Sequence, residues 1–341
     1  MTNYSPILRS RAAELRGLKE LTDQTKGKIF PIIELTRSRR TSKNPAGDIV
    51  KSVEAVCEIL GEQPFIADLT SLESQQNAEF DQLLSEDAGF SAWTSFALNS
   101  LPAQCIPVVH LLEPFELAPF QIQVGELNKK FPLLAIRVPT NYADYAVLIG
   151  ALQFVFPDPS KICLILDAGY VSQKAVSGAH ARLSEMLQVV DGVKFHSKTI
   201  AASSFPNSVV SAGGGDDQGE FDLTEVLLWD DLRRRYADLD YGDYAGVHPM
   251  DFTGTVTNWV PRVDVMLDSK FYYHRYRRSD GGYIKSAQEA YKDPRYIPLA
   301  CWAEENIKLA AAGTPAGRSP SFWISNRVNF HLSRQTLRVV G

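Results

Sequence analysis

Residues 29–35 read Ile-Phe-Pro-Ile-Ile-Glu-Leu, an apolar run that ends on a carboxylate, Glu34. The same pattern returns along the chain. Residues 64–69 (PFIADL) deliver Asp68, 105–111 (CIPVVHL) His110, 133–138 (LLAIRV) Arg137 and 162–167 (ICLILD) Asp167. Residues 199–206 (TIAASSFP) deliver Ser203 and Ser204. Helix-length segments lie between these runs. Four to eight apolar residues alternating with helices predict strands of a parallel sheet buried on both faces. A polar residue at the carboxyl end of such a strand faces a shared pocket at the strand tips.

Working outward, residues 4–10 give a first strand with Arg9 and Arg11 at or just past its end. Asp48 stands as an N-terminal acid before the helix of Val53 and Val56. The stretch 239–248 gives an eighth strand carrying Asp243 and Tyr244, interrupted by Gly242 and Gly246. Eight strand–helix units predict an α/β fold of the (β/α)8 TIM-like barrel type. An open doubly wound sheet would carry a glycine-rich turn after its first strand, which is missing here. The barrel is expected over 1–248, with an aromatic and basic insertion or hairpin over 249–283. Residues 284–341 supply a closing helix and the C-terminal segment. The glycine-rich, acidic 211–220 lacks the lysine of a phosphate-binding loop and reads as a flexible surface loop.

Composition narrows the function classes. The 341 residues are 45% hydrophobic and 22% charged, with a formal net charge of −5. That charge gives no bulk attraction to nucleic acid or anionic membrane, so such binding needs a local basic patch. Cys57, Cys105, Cys163 and Cys301 form no CxxC pair and are expected as free thiols. With no run of about 20 apolar residues there is no expected membrane span. The first residues lack the apolar core of a signal peptide, and a cytoplasmic protein is the expectation.

An ordered set of residues resembles the phage beta protein family. It comprises Tyr4, Pro6, Leu8, Arg9, Arg11 and Glu14, then Pro31 to Glu34, Ser203 to Pro206, Trp229 and Tyr241 to Tyr244. Tyr273, Arg275, Tyr276, Trp323, Asn329 and His331 complete it. The resemblance implies a (β/α)8-type fold from bacteria, prophages and mobile elements, and a link with phage-defence and toxin-type cassettes. In that family the early basic residues are often lysines. Arginines at positions 9 and 11 remove any Schiff-base chemistry there.

Three chemistries compete at the strand tips. Glu34, Asp68 and Asp167 are hard oxygen ligands suited to Mg²⁺ or Mn²⁺, with His110 beside them. Such a metal would activate water for phosphoester hydrolysis. The same carboxylates would equally pair with Arg9, Arg11 and Arg137 as a buried ion network. Alternatively Arg9, Arg11, Arg137 and Arg275, with Ser203, Ser204 and the stacking ring of Tyr273, form a pocket for a phosphate-bearing ligand or nucleic acid. The third chemistry is metal-free acid–base catalysis by Glu34, Asp68, Asp167, Asp243, His110 and Tyr244. The leading expectation is a defence protein with a phosphate-binding mouth. The runner-up is a non-enzymatic partner of a co-encoded protein, contacting it through Tyr272, Tyr273 and Trp259.

Overall fold

The computed structural model describes residues 3–210, 212, 215–251 and 259–341. In chain order it holds β1 (Tyr4–Arg9), α1 (Ala12–Lys19), α2 (Asp23–Lys26), β2 (Ile32–Leu35), α3 (Ile49–Leu60) and β3 (Phe65–Leu69). Next come α4 (Ala78–Leu83), α5 (Ser91–Ser100), β4 (Cys105–Pro107), α6 (Leu117–Leu127), β5 (Leu134–Pro139), α7 (Tyr145–Val155), β6 (Ile162–Tyr170), α8 (Val176–Val189) and β7 (Ser197–Ser203). The chain continues with β8 (Gln218–Asp222), α9 (Thr224–Arg235), β9 (Asp240–Asp243), β10 (Arg262–Met266) and β11 (Lys270–Arg275). It ends with α10 (Gly282–Lys292), α11 (Trp302–Ala311) and α12 (Pro320–Val340). No helix among the described residues is long and apolar enough to cross a membrane.

Eight strands form one parallel sheet in the order β4-β3-β2-β1-β9-β7-β6-β5. Its two outer strands approach each other just past β4. There Val108 bridges to Ala135, and the Val109 N–H donates to the Ala135 carbonyl at 2.8 Å. The sheet is therefore nearly closed and barrel-like. Register explains the interior. Ile7, Ile32, Ile66 and Ile106 are successive partners across β1 to β4 and fill one inner layer with Val108, Ala135, Cys163 and Ile165. The alternate residues, such as Ile33, Phe65 and Leu134, pack outward against the helices. Burying one such aliphatic side chain contributes about 1.5–3 kcal/mol. That double burial is why the strands read as continuous apolar runs rather than alternating ones.

Several local expectations hold. Asp48 caps α3 by accepting from the Val50 and Lys51 N–H groups, and all four cysteines are free. The expected eighth strand is β9. Gly242 does not interrupt it: a Cβ there would meet Thr199 Cγ2 at 2.8 Å and the Ile200 carbonyl at 3.0 Å, so glycine lets β9 lie against β7.

Two expectations change. Residues 211–220 do not form a loop throughout, because Gln218–Asp222 is β8 and pairs antiparallel with β11. With β10 the two make a three-stranded sheet in which Phe271 faces Phe221 across the strands. Part of the expected insertion, residues 252–258, and Ser211, Gly213 and Gly214 of the expected loop lie outside the described residues. The second change is the C-terminal segment, which forms the 21-residue α12. Its polar residues are buried because each reaches another segment. Asn329 donates to the Gly17 carbonyl of α1 and accepts from the Ala303 N–H of α11. Arg327 pairs with Asp264 on β10, and His331 with Asp243 on β9.

Close contact of α1 with α12 rests on Gly17, where a Cβ would lie 2.7 Å from Val328 Cγ1 and 2.9 Å from the Ser325 carbonyl. Gly17→Ala is expected to destabilise the protein by about 1–3 kcal/mol through overpacking. Gly125→Ala, where a Cβ meets nothing within 4 Å, is expected to be neutral or to stabilise by about 0.5–1 kcal/mol through helix propensity. Urea denaturation of the two variants measures both. Equal effects would remove the packing argument.

Candidate functional site

Two residues beyond the inner isoleucine layer, Arg9, Glu34 and Asp68 are register partners on β1, β2 and β3. The period of two therefore sends all three into the barrel at its carboxyl end. Arg137 reaches the same layer from β5, and Asp167 from β6. A register shift beyond Asp167 reflects Gly169, whose φ is +60° and whose N–H donates to Asp167 Oδ1 at 2.9 Å. Such a bulge re-aims a strand end.

The Arg137 guanidinium lies among the carboxylates and uses all its donors. Nη1 donates to Glu34 Oε1 and to Asp68 Oδ2, each at 2.9 Å. Nε and Nη2 donate to Asp167 Oδ2 at 2.9 and 2.7 Å, and Nη2 also to the Tyr244 hydroxyl at 2.9 Å. That hydroxyl in turn donates to Asp167 Oδ2 at 2.6 Å. Arg9 adds Nε at 3.4 Å from Glu34 Oε2, while its Nη2 donates to the His248 carbonyl at 2.9 Å. Burial works against the Arg137 charge, but Tyr244, Asp167, Glu34 and Asp68 together raise its pKa further above the ordinary arginine value. Burial would push the Asp68 carboxyl up, yet the His110 hydrogen bond and the Arg137 charge hold it below the ordinary aspartate value. Tyr244 is pushed well up by burial and by Asp167.

Above this floor opens a cavity of about 500 Å³. Its walls are largely apolar and include Phe90, Leu84, Tyr142, Tyr170 and Met250. Ser71 and Glu113 are polar groups on the walls, and so is His110. Its ring lies parallel to Trp93 at 5.0 Å and meets Phe90 edge-on at 5.3 Å. The Gln123 side chain clamps its backbone from both sides, accepting from its N–H and donating to its carbonyl. Nε2 lies 3.4 Å from Asp68 Oδ1, while Nδ1 is buried without a hydrogen-bond partner. Of the two ring nitrogens only Nε2 has a polar partner among the described residues, Asp68.

The residues expected at the strand tips divide into two groups. Glu34, Asp68, His110, Arg137, Asp167, Tyr244 and Arg9 converge. The others do not. Asp243, one residue before Tyr244, points to the opposite face. It is fully buried, accepting from the Tyr4 hydroxyl at 2.8 Å and the Ala245 N–H at 2.8 Å, and it contacts His331 Nε2 at 2.6 Å. The Ser203 hydroxyl donates to the Val247 carbonyl, and the Ser204 N–H donates to Glu225, so both serve as anchors. Arg11 is exposed beside α1. Arg275 and Tyr273 lie on β11. Arg275 pairs with Asp216, and Tyr273, fully buried, donates to the Gly215 carbonyl. Tyr272 is equally buried, so neither tyrosine offers a stacking or contact surface.

The three carboxylates do not fit a divalent ion. The position between them is taken by a guanidinium, and the described residues contain no group of three His, Cys, Asp or Glu disposed to hold a metal. The buried ion network is the arrangement found. The cavity walls were missed from the sequence. Tyr170 and Gly169 follow the Asp167 run directly and were within reach of it. Phe90 and Met250 come from connecting segments with no strand signal.

Comparison with known proteins agrees with the extent of the fold. A family model described as Beta protein matches residues 4–337. Protein beta of Enterobacteria phage P4 is 29% identical over 337 residues, spanning 98% of this chain and 92% of that protein.

Glu225, which holds the Ser204 N–H, is raised from its ordinary 4.5 to about 7, chiefly by burial. The folded chain thus keeps a proton that the unfolded chain releases between those values. Stability from this group is intact at acid pH and falls as pH rises through that window. Glu225→Gln keeps an acceptor and carries no charge. It is expected to exceed wild-type stability at pH 8 by on the order of 2 kcal/mol, with the gain vanishing near pH 4.5. Urea midpoints across pH measure this, and a gain independent of pH would refute it.

Proposed function

The chain belongs to the Beta protein family, and from that premise we propose that its barrel mouth binds a small uncharged or cationic polar ligand and exchanges a proton with it through Asp68 and His110. One observation carries this reading: every donor of Arg137 is engaged by Glu34, Asp68, Asp167 and Tyr244 beneath a cavity of about 500 Å³. The floor thus sets three carboxylates against two guanidiniums, both already paired. An incoming phosphate would meet carboxylate oxygen and no free cation. An amine or a hydroxyl-rich ligand would meet acceptors.

Taken as a (β/α)8 barrel, the fold has its strand tips where such barrels carry their chemistry. The His110 hydrogen bond and the Arg137 charge favour the ionised Asp68. Trp93, Phe90 and Gln123 fix the imidazole. Metal-assisted phosphoester hydrolysis draws no support from this donor set. The phage relative supports a mobile-element setting, and a role in antiphage defence belongs to the same proposal.

A second reading, a non-enzymatic partner of a co-encoded protein, is favoured by a different surface from the one expected. α7 carries no charged residue, and its Val147 and Phe154 are 59% and 71% exposed, while α6, which packs on α7, exposes Ile122 at 60%. Co-purification of neighbouring gene products with wild-type chain, but not with Phe154→Lys, is the result that reading requires. Retention by both would end it.

Thermal-shift titration with primary amines, neutral polyols and phosphate monoesters tests the first reading. Amines or polyols are expected to raise Tm in wild type and to lose at least tenfold in affinity in Asp68→Asn and in His110→Ala. Stabilisation by phosphate esters that depends on Arg137 or Asp68 would overturn it.

A further inference from the structure

Arg275 was expected to bring positive charge to the barrel mouth, but the fold takes it and its neighbours Arg277 and Arg278 elsewhere. Arg275 pairs with Asp216, and Arg277 reaches to 3.9 Å from the same carboxylate. Arg278 has no ion pair among the described residues. Its guanidinium lies over the Trp259 ring, 4.5 Å from the centroid. There it lines a second cavity, of about 400 Å³, together with Arg318 from the turn that precedes α12. Arg318 likewise has no ion pair among the described residues. Pro261, Gly281, Gly282, Tyr283, Ile284 and Pro315 complete the walls, and among the described residues no aspartate or glutamate lines them.

This environment is the inverse of the mouth. Two arginines border one cavity, and among the described residues no acidic side chain on its walls offsets their charge. An anion entering between them would. Guanidinium is weakly hydrated, always charged, and matches phosphate oxygens in a bidentate fork. Trp259 holds the Arg278 plane by a cation–π contact, which limits the freedom lost on binding. The wall behind is rigid as well: Tyr283 stacks on Trp323 at 5.0 Å with 13° between the rings.

We propose that the Arg278–Arg318 cavity is a binding site for a phosphate monoester, the group that a free nucleotide and a nucleic-acid 5′ end share. It is separate from the mouth and independent of the proton-transfer reading.

Calorimetric titration of the full chain with inorganic phosphate, AMP and a short 5′-phosphorylated oligonucleotide tests this. Saturable one-to-one binding of at least one probe is expected, weakened at least tenfold in Arg278→Gln and in Arg318→Gln and unchanged in Asp68→Asn. AMP binding as tightly as the oligonucleotide identifies the free nucleotide as the source. Tighter oligonucleotide binding identifies the nucleic-acid end. Both arginines are exposed, so the variants are expected to keep the wild-type Tm, which checks that they fold. No saturable binding of any probe, or binding that both arginine variants retain, would overturn the proposal. A loss confined to Asp68→Asn would assign the anion to the mouth and would also remove the proton-transfer reading.

Discussion

Three carboxylates buried at the ends of β2, β3 and β6 are held together by one guanidinium, that of Arg137. Isolated, each would meet a large desolvation cost. Together they form a network in which every N–H of the arginine has an acceptor. Removing one partner from such a network costs about 3–5 kcal/mol, whereas replacing the whole by apolar groups is often neutral. The network is therefore not explained by stability alone. Its effect is to fix strand ends from opposite sides of the barrel-like sheet in one register and to leave a polar floor under an apolar cavity.

Much of this was legible because the physics is local. An apolar run buried on both faces leaves its first polar residue at the strand tip, so Glu34, Asp68, His110, Arg137 and Asp167 were found without any pairing information. Asp243 was misplaced by one position of alternation. Tyr244 faces the mouth, so its neighbour must face the helices, where Tyr4 and His331 meet it. Ser203 and Ser204 were read as ligand contacts because a strand end looks alike whether its polar groups serve a ligand or the backbone of the next turn.

Long-range pairing decided the rest. Tyr272 and Tyr273 looked exposed because the sequence does not reveal that Gln218–Asp222 covers their strand from about fifty residues away. α12 was obscured by its own buried polar residues. Asn326, Arg327, Asn329, His331, Arg334 and Gln335 break the apolar period, although all are buried. Four segments answer four of them, through the Gly17, Asp243, Asp264 and Asp268 groups. The arginines were mislocated for the same reason. Their chemistry was readable and their address was not, so charge expected in one pocket is divided between an acidic mouth and a basic cavity.

Nitrogen-15 NMR of the arginine side chains tests the central role of Arg137 most directly. If its guanidinium is locked among Glu34, Asp68, Asp167 and Tyr244, its Nε–H and both Nη groups give separate resonances with slow proton exchange, and Asp167→Asn alters all of them. A single averaged Nη signal exchanging at the rate of a solvent-exposed arginine would contradict the account.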